Sequence, residues 1–296
     1  MPVPLLTRLN QPGVIVADGA MGTMLFQRGL RPGDCPERIN LQSPEILESI
    51  AREYFEAGAE IIQTNTFGGS PLKLSSYGLE GFVEQINARA VDAVRNAVGD
   101  KAYISASCGP SGKILEPYGD AKAETVYESF RTQLKAILTE GVDMICIETM
   151  TDIAEASLAI KAARSLSSSI PVCATMTFDP TPKGFRTVMG TTIEQAVDRL
   201  TESGADIIGS NCGNGILNMI RIAGEFTRQS ALPIIIQSNA GLPVLKDGQT
   251  VYPESPEFMA EKCVELSAIG VKIIGGCCGT TPEHIAAIRR ELSRAQ

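Results

Sequence analysis

"GAEIIQTNT", residues 58–66, returns three more times along the chain, as "GVDMICIET" at 141–149, "GADIIGSNC" at 204–212 and "GVKIIGGCC" at 270–278. Each copy is a glycine, a short apolar run and an end rich in amide, carboxyl, hydroxyl or thiol groups. Short runs of β-branched residues predict strands. Seven residues past the glycines lie Asn65, Glu148, Asn211 and Cys277, and eight past lie Thr66, Thr149, Cys212 and Cys278. The echo therefore predicts four strands in one register, with their reactive side chains at equal height.

Four further runs fall between these copies: "VIVAD" (14–18), "AYISASC" (102–108), "PVCATMTF" (171–178) and "PIIIQSN" (233–239). Eight strands result, separated by helix-length amphipathic segments. In "SPEILESIAREYFEAG" (43–58), Ser43 is placed to cap, Pro44 suits the first helical position, and Ile46, Leu47, Ile50, Tyr54 and Phe55 form one stripe. Near-continuous apolar strands alternating with helices predict a parallel sheet covered on both faces. Spread over 296 residues, the eight units take about 37 residues each, which fits a closed (β/α)₈ TIM barrel forming a single domain over residues 1–296. A doubly wound open sheet is the alternative, but no GxGxxG follows the first strand.

A net charge of −8 speaks against a nucleic-acid partner, which needs clustered Lys and Arg. No run approaches the ~20 apolar residues of a membrane span. The opening "MPVPLLTRLNQPG" lacks the basic start and apolar stretch of an export signal, so the expectation is a cytoplasmic protein whose eight cysteines are reduced thiols.

A closed barrel would bring Cys212 at the end of strand six beside Cys277 and Cys278 at the end of strand eight. Active sites of such barrels sit at that C-terminal rim. Adjacent residues of a regular strand face opposite ways, so two neighbouring ligands need a bent strand end, which Gly275, Gly276 and Gly279 permit. Three thiolates with one open position suit a catalytic zinc site. Their combined charge outweighs the +2 of zinc, which makes such a centre a poor Lewis acid for hydrolysis but able to ionise a bound thiol and keep it nucleophilic. Thiol alkylation is the reaction this chemistry favours. A vicinal pair also fits a redox switch or plain core packing, and a non-enzymatic thiol or zinc sensor is the rival reading. Cys35, Cys108, Cys146, Cys173 and Cys263 lack this convergence and read as packing residues. The sole histidine, His284, reads as structural.

Six segments carry a family likeness: "DGAMGT" (18–23), "QTNTF" (63–67), "IETMTDI" (147–153), "SNC" (210–212), "NAGLP" (239–243) and "GGCCGTTPEHI" (275–285). Over nearly its whole length the chain resembles the homocysteine S-methyltransferases, above all the homocysteine-binding module of cobalamin-dependent methionine synthase. The resemblance implies zinc on Cys212, Cys277 and Cys278, with L-homocysteine as methyl acceptor and L-methionine as product. It implies that Asp18, the backbone at Gly19, and Glu148 hold the amino-acid end, with Asn65, Asn211 and Asn239 as further substrate-site residues. Asn239 matches a position whose amide oxygen approaches zinc when substrate is absent. Other roles open to these residues are a helix or turn cap for Asp18, an ion pair with a neighbouring Lys or Arg for Glu148 and backbone satisfaction for the asparagines.

For the donor, the resemblance implies methylcobalamin on a separate corrinoid protein or module, since no cobalamin-ligating DxHxxG occurs here. S-methylmethionine and betaine are the alternatives. Betaine recognition uses an aromatic cage, whereas this chain has no Trp and carries Thr149 where betaine-using relatives have Tyr. "NCGNG" (211–215) departs from the module's more usual "NCSLGP". Three rim loops are the expected covers: 21–40 after strand one, 108–120 after strand three and 179–192 after strand five.

Overall fold

A computed structural model describes residues 3–246 and 249–295. Eight parallel strands form its sheet: β1 (Ile15–Val16), β2 (Ile61–Gln63), β3 (Tyr103–Cys108), β4 (Met144–Met150), β5 (Val172–Met176), β6 (Ile207–Asn211), β7 (Ile234–Ser238) and β8 (Ile273–Gly276). Neighbours in the sheet are neighbours in sequence, with β8 pairing β1. The remaining seam, between β1 and β2, is joined by a parallel bridge from Ala17 to Ile61. Across it Glu60 N donates to Val16 O at 2.7 Å and Asp18 N to Ile61 O at 3.0 Å. The chain forms a TIM barrel and not the open doubly wound sheet.

The fourfold echo explains the interior. Three residues past each glycine, Ile61, Met144, Ile207 and Ile273 meet in one inner cluster with Ile15, Tyr103 and Ile235. One position later, Ile62, Ile145, Ile208 and Ile274 belong to the outer core beneath the helices. This is the alternation of a strand buried on both faces. Each fully buried Ile contributes about 1.5–3 kcal/mol from lost water contact. A short helix, Leu5–Leu9, adds Leu5 and Leu9 to the inner cluster and closes the N-terminal end of the barrel.

Eight helices pack outside: α1 (Pro44–Glu56), α2 (Val83–Val98), α3 (Ala123–Glu140), α4 (Ile153–Leu166), α5 (Ile193–Ser203), α6 (Ile216–Gln229), α7 (Pro256–Ala268) and α8 (Pro282–Arg294). Along α1, Leu47, Ile50 and Tyr54 are buried, while Ile46 and Phe55 pack against the same core from its edge. Ser43 occupies the N-cap of α1 as expected, but its side chain makes no cap hydrogen bond. Full reciprocal capping boxes belong to α5, between Thr192 and Gln195, and to α8, between Thr281 and His284.

Two rim loops carry hairpins that the strand pattern did not foresee. Asp179–Thr181 pairs with Gly184–Arg186, and Val244–Lys246 with Gln249–Val251. The first lies in the predicted cover after β5. No helix among the described residues is long and apolar enough to cross a membrane.

Candidate functional site

At the C-terminal rim the backbone leaves the strands in a way that gathers three thiols. After β6, Cys212 takes a left-handed conformation at φ 61°, followed by Gly213 at φ 74°. A non-glycine residue there is disfavoured by about 1–2 kcal/mol, so surrounding structure holds the turn. After β8 the bend uses Gly279 at φ 84°. Gly275 and Gly276 do not bend the strand: they remain within β8, where a Cβ would meet Ala17 Cβ at 2.8 Å and Thr280 Oγ1 at 2.2 Å. Their smallness lets β1 and the following turn pack close.

The sulfurs of Cys212, Cys277 and Cys278 all lie within 4.8 Å of one another. The Cys212 and Cys278 sulfurs stand 3.8 Å apart. A tetrahedral zinc with Zn–S bonds of ~2.3 Å would separate its sulfurs by about 3.8 Å. The donor set therefore fits a soft divalent ion. Charge supports the same conclusion. Cys278 is lowered to about 3 because the Cys212 and then the Cys277 thiol donate to it. Cys277 is pushed well above the usual thiol range by its hydrogen bond to Cys212, then by that to Cys278. Three thiolates this close repel one another, so ionising all of them calls for a cation among them.

Two carboxyl groups lie buried near the thiols. Glu148 Oε1 accepts from Ser107 Oγ, and its Oε2 accepts from Asn211 Nδ2 at 3.2 Å. Burial raises it to about 7, against the Ser107 hydrogen bond. Asp18 Oδ2 accepts from Gln63 N at 2.7 Å, while its buried Oδ1 has no partner. Burial first, then the nearby Glu148, raises it to about 8, opposed by the Gln63 hydrogen bond. Glu148 makes no ion pair among the described residues, and Asp18 accepts from the β2 backbone at Gln63 while capping no helix. Next to Asp18, a Cβ on Gly19 would come within 2.6 Å of Thr280 Oγ1 and 2.9 Å of the Tyr54 ring. Only glycine fits.

A cavity of about 270 Å³ joins the thiols and Glu148, with Gly19, Gln63, Phe67, Glu148, Cys212 and Cys277 among its lining residues, while Asp18 lies behind its wall, next to the lining residue Gly19. Residues 15–292 match the sequence model of a family described as homocysteine S-methyltransferase. The chain belongs to that family. It is similar to the methionine synthase of Mycobacterium leprae, 31% identical over 95% of this chain and 24% of the relative. That of Mycobacterium tuberculosis is 32% identical over 96% and 25%. The chain thus spans about a quarter of the length of these relatives. Its fold is similar to that of the metallated form of the homocysteine methyltransferase MmuM from Escherichia coli, with TM-score 0.80 and 21% identity, covering 97% of this chain and 99% of that one. The oxidized form of MmuM gives TM-score 0.77 at 22% identity, covering 98% and 99%.

Within this member of the homocysteine S-methyltransferase family, the three asparagines occupy different environments. Asn65 lines the cavity, yet its Nδ2 donates to Pro36 O at 2.9 Å and Asn40 Oδ1 at 2.7 Å. Asn211 is fully buried among side-chain partners. Asn239 is buried with its Oδ1 unpartnered, and neither it nor Asn211 is among the described residues that line the cavity. At the motif departure, Asn214 knits loops together, its Nδ2 donating to Phe178 O at 2.6 Å and its carbonyl accepting from Asn239 N at 3.1 Å. His284 shares the cap of α8 with Thr281 and has Nε2 3.1 Å from Glu254 O. Cys35, Cys108, Cys146, Cys173 and Cys263 are all buried.

Sequence reading missed Ser107, Gln63, Glu37 and Phe67 as residues of the site. Ser107 had a signal: in "ISASC" the alternation sets Ser105 and Ser107 on one face of β3, opposite Ile104 and Ala106 of the outer core. Glu37 had none, because its carboxylate reaches Gly68 N at 2.6 Å across 31 residues of sequence.

Proposed function

We propose that this chain is a homocysteine-binding barrel domain, residues 1–296, that transfers a methyl group to the sulfur of L-homocysteine and yields L-methionine. One observation carries the reading: three thiols converge at a cavity that is also lined by the buried carboxyl of Glu148. Homocysteine has complementary ends, a thiol and an α-ammonium group.

Cys212, Cys277 and Cys278 would hold zinc and leave its fourth position to the substrate sulfur. When bound, the metal supplies the acidity that ionises a thiol of free pKa near ~8.5, while the cysteine thiolates keep the site electron-rich. Asp18 and Glu148 face the ammonium group. Burial raises both carboxyls and so favours their neutral forms, and an arriving cation favours the ionised ones. Gly19 lets the substrate approach the backbone. Asn65 shapes the wall, and Asn239 presents a free amide oxygen beside the turn that bears Cys278, whose carbonyl accepts from Ala240 N at 2.9 Å. With His284 spent on its cap, the substrate proton leaves to solvent and the sulfur gains the methyl group as the donor releases it.

The preferred donor is methylcobalamin carried on a separate corrinoid protein or module. Support comes from the relatives named methionine synthase, four times as long as this chain, and from the lack of DxHxxG in the sequence. Phe67 is the one aromatic side chain among the described residues that line the cavity, which speaks against an aromatic cage for betaine. S-methylmethionine is the other donor to test.

The test supplies zinc-loaded protein with L-homocysteine and each donor in turn, with a control lacking homocysteine, and detects methionine by mass spectrometry. Methionine from methylcobalamin supports the reading in full, and methionine from another donor corrects only the donor. A protein holding one zinc per chain that forms no methionine with any of them sinks it and favours the thiol sensor.

A further inference from the structure

One buried side chain of the site has no capacity left for a ligand. Asn211 Oδ1 accepts from Thr149 N and from Thr175 Oγ1, both at 2.8 Å. Its Nδ2 donates to Thr149 Oγ1 at 2.8 Å and to Glu148 Oε2 at 3.2 Å, and lies 4.0 Å from Cys277 Sγ. An amide offers two donors and two acceptor sites. All four are in use.

The segment that Asn211 grips is irregular. Between the pairs Ile147–Ala174 and Met150–Met176 the register of β4 against β5 shifts, leaving one extra residue at Glu148–Thr149. Such bulges re-aim side chains at strand ends. Thr149 sits at φ 59°, which a β-branched residue strongly disfavours. Both polar groups of Thr149 that flank this turn, N–H and Oγ1, are held by the same amide. The next residue after Asn211 is Cys212, itself left-handed.

We infer that Asn211 is a positioning residue, which clamps the Glu148–Thr149 bulge and so fixes the carboxylate relative to the thiol cluster. The inference rests on the reading that this cavity takes homocysteine. In that reading the substrate must reach a sulfur site anchored by β6 and an ammonium site anchored by β4 at once, and Asn211 sets the span between them. Without the amide, Thr149 relaxes toward an ordinary conformation and Glu148 turns from the cavity. Glycine adopts positive φ freely and has no such drive. Replacing Thr149 by glycine should therefore make the clamp dispensable.

The experiment measures homocysteine affinity by calorimetry and zinc per chain by metal analysis, in the full chain. It compares the cost of Asn211→Ala in the wild-type background with its cost in the Thr149→Gly background. Expected is a loss of about 10- to 100-fold in the first and a loss at least about fivefold smaller in the second, where only the direct hydrogen bond to Glu148 still goes, with zinc near one per chain throughout. Equal losses in both backgrounds, or none in either, overturn the clamp. If Asn211→Ala does not fold, Thr175→Val decides, since it removes one hydrogen bond that steadies Asn211: a loss of about three- to tenfold is expected, and wild-type affinity overturns the inference. Failure of the zinc-loaded wild type to bind homocysteine would instead sink the reading of the site.

Discussion

Cys146 and Cys173 stand side by side on β4 and β5, much as Cys277 and Cys278 stand together after β8, yet only the second pair meets a cavity. The Cα atoms of Cys146 and Cys173 are register partners, and both side chains are fully buried in the inner apolar cluster with Ile207 and Ile235. Cys146 is pushed well above the usual thiol range by its hydrogen bond to Cys173, then by burial. Both side chains are packing groups of the core. The rim thiols lie beyond their strands, on left-handed turns that aim a third sulfur at the pair. Proximity of two thiols is thus insufficient: access and a third donor separate a ligand set from core.

The largest expected effect tests that separation directly. Cys277→Ala should abolish zinc binding and lower methyl transfer by more than about 100-fold, beyond what loss of an outer partner causes. Cys146→Ala should keep its zinc and its activity and cost about 1–2 kcal/mol of stability through the space left in the core. Metal analysis and thermal melting of both variants check this. Retained zinc and turnover in Cys277→Ala would erase the distinction.

Two buried glutamates sharpen the comparison at smaller cost. Glu155 is spent on Ser111, accepting from its N at 2.8 Å and its Oγ at 2.5 Å, whereas Glu148 lines the cavity. Glu148→Gln should raise the KM for homocysteine by about 10- to 100-fold, because a charge-assisted pair with the ammonium group is lost, and should leave zinc content unchanged. Glu155→Gln should alter melting without moving KM. Steady-state kinetics on the two variants distinguishes them, and an equal rise in KM for both would remove any special role from Glu148.

Much of this contrast was legible in the residues. The fourfold echo set Glu148, Asn211 and Cys277 at one height and left Cys146 two positions lower, inside the packed barrel. The φ values of Thr149 and Cys212 were hidden, since neither residue type favours that conformation and tertiary hydrogen bonds impose it. Asn65 shares its place in the echo with Glu148. Yet β2 ends at Gln63, and the freed backbone leads Asn65 to Pro36 and Asn40, residues that no strand pattern connects to it. Register is local information, and partners from distant loops are not.

The smallest effect concerns Asp18, where function and stability pull apart. An unfolded chain ionises this carboxyl near 3.8, while the folded protein holds its proton up to about 8 because the group is buried with Oδ1 unpartnered. The folded state therefore binds more protons between those values. Its stability falls as pH rises from about 4 to about 8 and levels off above. Asn cannot ionise. Asp18→Asn should make the ligand-free protein melt higher than wild type near pH 8.5, by roughly 2–4 °C for each kcal/mol relieved, and this advantage should shrink steadily toward pH 5 and vanish only below about pH 4. Homocysteine should reverse the order at the higher pH, since its ammonium group pairs with the carboxylate and raises the wild-type melting temperature more than the variant's. Calorimetric scans at both pH values, with and without homocysteine, read all four conditions. A melting difference independent of pH would mean that Asp18 does not titrate in this window, leaving Glu148 as the one buried acid poised for the substrate.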